Sequence, residues 1–313
     1  MEYSIVTTNL SKKFGSFVAV DNINLSIRPG DICAFLGPNG AGKTTAIRML
    51  CGILEPSSGS GSVLGYDLVK NPEKIKENLG YMSQKFSLYH DLTVWENLNF
   101  YAGIYGLGAK TRRGRIAEMM SLADLQGREH TLVANLSQGY QQRLALSCAI
   151  ISDPRVIFLD EPTSGVSPAS RRSFFNIIQE EAGKGKTIII STHFMDEAER
   201  CGQIAFFDQG KLLALDDPAA LKRSAIEGRL YKIAADNPIH LLDKLAQVPG
   251  IMDASLHGRC LHILMDEEHN TALLEETAES RAELIEPTLE DVFLALARRK
   301  EGNNSHDADS ISN

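Results

Sequence analysis

The chain has 313 residues, 43% of them hydrophobic and 23% charged, which is the balance of a globular protein with room for one large domain and a small one. A net charge of −8 argues against a nucleic-acid partner held by general electrostatics; Arg112-Arg113-Gly114-Arg115 and Arg298-Arg299-Lys300 are short and read as solvated helix faces. The five cysteines are odd in number and lack C-x-x-C spacing, which argues against a disulfide frame and for a reducing compartment. The first residues lack the basic and apolar regions of a signal peptide. No apolar run approaches the roughly 18 residues of a membrane span, so a membrane role is expected to come from a partner chain.

In chain order, Ser4 to Thr8 reads as a strand and 18–27 as a second, weakly alternating one. Lys12-Lys13-Phe14-Gly15 lies between them. Phe14 could pack as a core residue or stack on an aromatic ligand. The apolar run Ile32-Cys33-Ala34-Phe35-Leu36 reads as a buried strand. It leads into Gly37-Pro38-Asn39-Gly40-Ala41-Gly42-Lys43-Thr44, which fits the phosphate-binding pattern G-x-x-x-x-G-K-[ST] at every fixed position. Thr45 and the residues after it start a helix. Glycines let backbone N–H groups turn inward, and these groups with the helix N-terminus cradle phosphates. Lys43 would reach the β- and γ-phosphates, and the Thr44 hydroxyl would ligate Mg²⁺.

Residues 55–61 form a turn cluster, and 62–82 read as a return to strand ending at Gln84, either a surface polar residue or a ligand for Mg²⁺ or water. Residues 85–150 look helical. Thr93-Val94-Trp95-Glu96 is a capping box, and Trp95, the only tryptophan, falls in the first turn, as core or as docking surface. Ser137 is placed to cap a further helix, with Gly139 allowing a ligand close to its N-terminus. The apolar stretch Val156-Ile157-Phe158-Leu159 ends in Asp160 and Glu161, at the strand end where α/β sheets bind ligands. There Asp160 would hold Mg²⁺, and Glu161 would act as general base on water. Ser167-Pro168 starts another helix. A buried strand over 187–192 ends at His193, which is structural or a donor to a γ-phosphate. Asp208-Gln209-Gly210 is the turn of a hairpin. The first domain is expected to end near 226. The remainder reads as strand 230–235, helix 238–248, strands 251–256 and 260–265, helix 270–278 and strand 282–286, a ferredoxin-like order. Thr288 caps a last helix, and 301–313 read as disordered.

Together these motifs resemble an ABC-type ATPase over residues 3 to about 225: residues 37–44 as Walker A, Gln84 as Q-loop, 136–142 as the signature, 156–160 as Walker B with Glu161 as catalytic glutamate, His193 as switch histidine and Phe14 as the adenine-stacking aromatic. In the signature, Gln138 and Tyr140 replace the commonest third and fifth residues. The stretch from Glu286 to Phe293 resembles the C-terminal segment of bacterial drug- and polysaccharide-export ATPases. The resemblance implies an α/β fold: an ABC ATPase domain over 1–226, with a β-core and a helical subdomain at 85–150, then a small α+β domain at 227–300.

It also implies ATP and Mg²⁺ as ligands, held by Phe14, Gly37, Pro38, Asn39, Gly40, Ala41, Gly42, Lys43, Thr44 and Thr45. Thr44, Gln84 and Asp160 would serve the metal; Glu161, His193 and Gln84 would serve the chemistry. Two such chains, identical or homologous, would sandwich two ATPs head to tail, with Ser137, Gln138 and Gly139 of one closing the site of the other. A separate integral membrane permease would dock near Phe86, Leu88, Tyr89 and Trp95, holding the chain on the cytoplasmic face of the inner membrane, and export is the implied direction. One departure stands out: Ser164-Gly165-Val166-Ser167 has serine where the family usually has the D-loop aspartate. A soluble ABC ATPase acting in translation normally carries two ATPase domains and basic linkers, and a DNA-repair ATPase needs a long heptad insertion; neither feature is visible.

Overall fold

The structure, a computed structural model, describes residues 2–84, 88–245 and 248–298. The chain divides into two compact units, Met1–Leu215 and Asp216–Asn313.

In the first unit β1 (Ile5–Phe14), β2 (Phe17–Ile23) and β3 (Ser26–Ile27) precede β4 (Ile32–Leu36) and α1 (Lys43–Leu50). Next come β5 (Ser58–Val63), β6 (Tyr66–Asp67), α2 (Pro72–Glu77), β7 (Leu79–Met82), α3 (Val94–Ile104), α4 (Ala109–Leu122) and α5 (Gln138–Ile150). The unit closes with β8 (Val156–Asp160), α6 (Pro168–Gly183), β9 (Thr187–Thr192), α7 (Met195–Ala198), β10 (Gln203–Asp208) and β11 (Lys211–Asp216).

These strands form two sheets. One is antiparallel, in order β2-β1-β5-β6 with β3 beside β1. The other has six strands in order β11-β10-β4-β9-β8-β7, and the pairs from β10 to β7 are parallel. All residues of β4, β8 and β9 are buried. That explains their unbroken apolar sequence, because parallel strands are covered on both faces. The core contains Ile5 and Leu10 of β1, Val20 of β2, Ile47 and Leu50 of α1, Phe35 of β4, Phe158 of β8 and Phe207 of β10, so α1 is packed between the two sheets. The β10–β11 turn places Gln209 and Gly210 both at positive φ, 46° and 78°, the geometry of a tight hairpin.

Helices α3, α4 and α5 pack on one another, and α3 opens with the full capping box. The Glu96 N–H donates to Thr93 Oγ1, and the Thr93 N–H donates to Glu96 Oε2. No helix among the described residues is long and apolar enough to cross a membrane.

Three local expectations are corrected. β1 continues through Phe14, so Lys12 and Lys13 are strand residues paired with Val20 and Val18. Strand β5 begins at Ser58, inside the supposed turn cluster, because pairing with β1 overrides the poor strand propensity of Ser-Gly-Ser-Gly; Gly59 absorbs the irregularity at φ 81°. Residues 72–77 are helix α2 rather than strand, started by Pro72 in the first turn.

The second unit opens with α8 (Pro218–Ser224), capped by Asp217, whose side chain accepts from the Ala220 N–H. The boundary therefore falls before α8, not after it near 226, since β11 is the edge strand that ends the six-stranded sheet. There follow β12 (Arg229–Ala234), α9 (Pro238–Leu245), β13 (Ile251–His257), β14 (Cys260–Met265), α10 (Ala272–Ala278) and β15 (Glu283–Leu284). They build an antiparallel sheet in order β13-β14-β12-β15, a β-α-β-β-α-β unit. Ile233, Leu261, Ile263 and Met265 pack on Leu241, Leu245 and Leu274 of α9 and α10. Residues 289–298 are helical.

Candidate active site

The loop between β4 and α1 is shaped by close approach. A Cβ on Gly37 would lie 2.0 Å from the Phe207 carbonyl oxygen. At Gly42, with φ 100°, it would lie 2.5 Å from the Ala19 carbonyl oxygen. Both positions admit glycine alone. Gly42 is the N-cap of α1, so the first N–H groups of that helix open onto the loop.

The Lys43 ammonium folds back over the loop and donates to the Gly37 and Pro38 carbonyls at 2.7 and 2.9 Å. Burial pushes its pKa below that of an ordinary lysine, against the upward pull of the Glu161 and Asp160 carboxylates. A cavity of about 240 Å³ is lined by Gly40, Ala41, Gly42, Lys43, Thr44 and Thr45, with Phe17, Ala19 and Glu161.

The parallel sheet brings the acids to this loop. β8 runs beside β9, which runs beside β4, and all three end on the same edge. Asp160 Oδ1, at the end of β8, accepts from Thr44 Oγ1 at 2.9 Å and from Ser191 Oγ of β9 at 2.6 Å. Two hydroxyls and a buried carboxylate thus converge where the phosphate loop enters α1. Glu161 follows at φ 47°, a left-handed conformation rare for a non-glycine residue. Its N–H donates to Ser191 Oγ at 2.9 Å and to the Ser191 carbonyl at 3.2 Å, which holds the strained turn. Its carboxylate accepts from Gln84 Nε2 at 2.9 Å, so the ends of β7 and β8 meet through these two side chains.

His193 is exposed directly after β9, its ring against Phe194 at 4.0 Å. Phe14 is 50% exposed under the Lys12 ammonium, 5.3 Å from the ring centroid, and does not line the cavity. Its cross-strand partner Phe17, 63% exposed, does.

The signature residues lie elsewhere. Ser137 has the extended backbone of an N-cap, but its side chain makes no capping bond, contrary to the expectation that it caps α5. Gly139 backs onto α6, where a Cβ would meet Ser170 Oγ at 2.7 Å. The exposed Gln138 amide donates to the Ser164 carbonyl at 3.3 Å, linking signature and D-loop. Ser167 does cap α6, accepting from the Ser170 N–H at 3.3 Å. None of Ser137, Gln138 and Gly139 lines the cavity.

One residue of this region was not foreseen. Glu197 of α7 is buried, accepts from the Thr163 and Thr192 hydroxyls, and lies 3.3 Å from Arg171 Nε. It therefore ties the loop after Glu161 to the strand end that carries His193. Burial raises its pKa above the ordinary glutamate value in spite of these partners. The only sequence signal was an acid four residues beyond His193, on a short helix.

The ABC transporter family model matches residues 20–164. The chain is 46% identical over 221 residues to the protein named "Probable multidrug ABC transporter ATP-binding protein YbhF" of Escherichia coli (strain K12); this covers 71% of the chain and 38% of the relative, so the chain spans well under half of that relative's length. It is 33% identical over 301 residues to the Nod factor export ATP-binding protein I of Paraburkholderia xenovorans (strain LB400), covering 96% of the chain and 98% of the relative. A solved ATP-binding subunit of an ABC transporter superposes with a TM-score of 0.63 at 28% identity, over 70% of this chain and 92% of that one. With the loop, the two acids and the parallel sheet in the arrangement just described, these likenesses show that the chain belongs to the family of ABC transporter ATP-binding proteins.

Proposed function

We propose that the chain binds and hydrolyses ATP to power export through a separate membrane permease. The observation that carries the reading is the convergence of Thr44, Asp160 and Glu161 at the mouth of the phosphate loop. The donor set suits the expected ligands. Backbone N–H groups and the Lys43 ammonium are chemistry for phosphate, and the hydroxyl and carboxylate oxygens of Thr44 and Asp160 are hard donors for Mg²⁺. Lys43 would leave the Gly37 and Pro38 carbonyls for the β- and γ-phosphate oxygens. Thr44 and Asp160, with Gln84 nearby, would hold Mg²⁺, which would supply positive charge against that of the phosphates. Glu161, oriented by the Gln84 amide, would accept the proton of the attacking water. His193 would donate to the γ-phosphate from the end of β9, and Phe14 or Phe17 would stack on the base.

Ser137, Gln138 and Gly139 point the reading towards a dimer. Their helix start is exposed and away from the cavity, as a surface that completes the site of a second ATPase subunit would be. Export is supported by the names of the multidrug and Nod factor relatives. For the permease, Tyr89 and Trp95, each 42% exposed beside the helical region, are the proposed contacts, with Leu88 half-buried next to Tyr89 in the chain; Phe86 lies outside the described residues. This would place the chain on the cytoplasmic face of the inner membrane. Photo-crosslinkers at Tyr89 and Trp95 should capture an integral membrane protein in cells. Capture of ribosomal proteins alone would overturn the export reading.

A further inference from the structure

The C-terminal unit carries a cluster of ligating side chains remote in sequence from the nucleotide residues. In the β13–β14 ladder Ser255 faces His262 and His257 faces Cys260. Side chains alternate, so Ser255, His257 and His262 share one face of the sheet. Leu261, Ile263 and Met265 point the other way, into the core under α9 and α10. The helix at 289–298 covers the histidine face, and its Arg298 pairs with Asp253 of β13.

Asp291 is the residue of that helix aimed at the two histidines. Thr288 donates to its Oδ2 from the backbone N–H at 2.9 Å and from Oγ1 at 2.6 Å. The Asp291 N–H returns a bond to Thr288 Oγ1 at 3.3 Å, closing a helix cap. One carboxylate oxygen is therefore spent on the cap, and the other faces the sheet. Oδ1 lies 2.9 Å from His262 Nδ1 and 3.3 Å from His257 Nε2. The imidazoles stack with centroids 3.8 Å apart and planes inclined by 15°. Burial pushes the Asp291 carboxyl up, but the bonds from Thr288 and His262 outweigh it and hold its pKa below the usual carboxylate value.

We propose that His257 Nε2, His262 Nδ1 and Asp291 Oδ1 form a binding site for a zinc-class divalent cation, which pins the C-terminal helix to the sheet. The three atoms lie within 4.8 Å of one another. A tetrahedral zinc ion with ligand bonds of about 2.0–2.2 Å wants its donors about 3.4 Å apart, and because ring-nitrogen lone pairs lie in the imidazole plane, seating the ion also turns one ring out of the stack. Two imidazoles with one carboxylate suit zinc rather than Mg²⁺ or Ca²⁺, which take oxygen ligands. Glu290 Oε2 is 3.8 Å from His257 Nδ1, the nitrogen on the far side of that ring, too far for a hydrogen bond but close enough to be reached by a side-chain turn. A water would complete the fourth position.

The test uses the full chain, stripped with a chelator and titrated with zinc chloride by calorimetry in excess Mg²⁺, which occupies oxygen sites. Wild type should bind one tight zinc that His257→Ala and His262→Ala each weaken by more than the roughly 10–100-fold cost of losing a supporting partner. Cobalt in place of zinc should give the visible absorption of a tetrahedral ion in wild type only. Zinc should also raise the melting temperature of wild type and leave both variants unmoved. His257→Gln, a milder change, guards against a folding defect; Asp291→Asn does not, since Asp291 also caps the helix. Equal zinc uptake by wild type and the histidine variants, or no uptake by wild type, overturns the proposal.

Discussion

The carboxyl ends of β4, β8 and β9 and the N-terminus of α5 both carry family motifs, yet they are finished differently. At the strand ends, Asp160 accepts two hydroxyl bonds, Glu161 accepts one from Gln84, and Lys43 donates to two carbonyls. At α5, Ser137 is exposed and its hydroxyl makes no cap, so the N–H groups of the first turn stay open to an outside acceptor. One region is preorganised by its own chain; the other leaves its first-turn N–H groups without a side-chain cap. A helix N-terminus in that condition is suited to phosphate brought by another molecule.

Substitutions at the strand ends should give the largest effects. Glu161→Gln should lower ATP hydrolysis by about 10²–10⁴-fold, the usual worth of a positioned base, with ATP affinity kept. Steady-state phosphate release checks the first and calorimetry the second; near-normal turnover would remove Glu161 from the role of base. Lys43→Ala should act on binding instead. It deletes charge-assisted bonds worth about 1.5–3 kcal/mol each, so ATP affinity should drop by about 10–100-fold or more, again by calorimetry. Unchanged affinity would mean that Lys43 stays on the Gly37 and Pro38 carbonyls in the bound state.

Ser137→Ala probes the other region. Nucleotide binding to the isolated chain should be unaffected, because Ser137 is not on the cavity wall. Nucleotide-driven dimerisation, read by sedimentation on a Glu161→Gln background, should weaken by about tenfold, one lost bond to a charged group. A loss of binding by the monomer would erase the distinction between the two regions.

The difference between these regions also marks how much could be read in advance. The phosphate loop, the buried strands and the two acids are local patterns with local causes, and they stand where their spacing put them. Ser137 looked like a cap because Ser is a good one, but whether a hydroxyl turns to its own helix is decided by tertiary context. Strand β5 was hidden because Ser-Gly repeats carry no strand signal without the partner β1. Phe17 reached the cavity wall through its pairing with Phe14 across the β1–β2 turn, a register that composition does not specify. His257 and His262 likewise meet only through the β13–β14 register, and Glu197 matters only because β8 and β9 are neighbours.

Glu197 offers a smaller test, through pH. Its folded pKa is raised by burial. Its contribution to stability is therefore fully present below the unfolded value of about 4.3 and declines as pH rises through the higher folded value. Glu197→Gln should flatten this part of the pH dependence in urea unfolding. An unchanged slope would mean that Arg171 and the two threonine hydroxyls fully compensate the buried charge.

The smallest expected change in stability belongs to Ser167, which joins the two regions. It caps α6, and it follows Ser164, the residue whose carbonyl takes the Gln138 amide of the signature. Aspartate caps a helix about as well as serine, and a negative charge at a helix N-terminus is favourable. Ser167→Asp should therefore leave unfolding free energy within about 0.5 kcal/mol. What should move is function. The new carboxylate would stand on an exposed loop beside the signature, where it can act across a dimer rather than within the chain. ATP hydrolysis by the reconstituted transporter should become faster or more cooperative in ATP, with the melting temperature unchanged. If rate and cooperativity both stay as in wild type, the serine is a neutral occupant of the cap, and the two regions communicate by another route, of which the Gln138 to Ser164 bond is the one already formed.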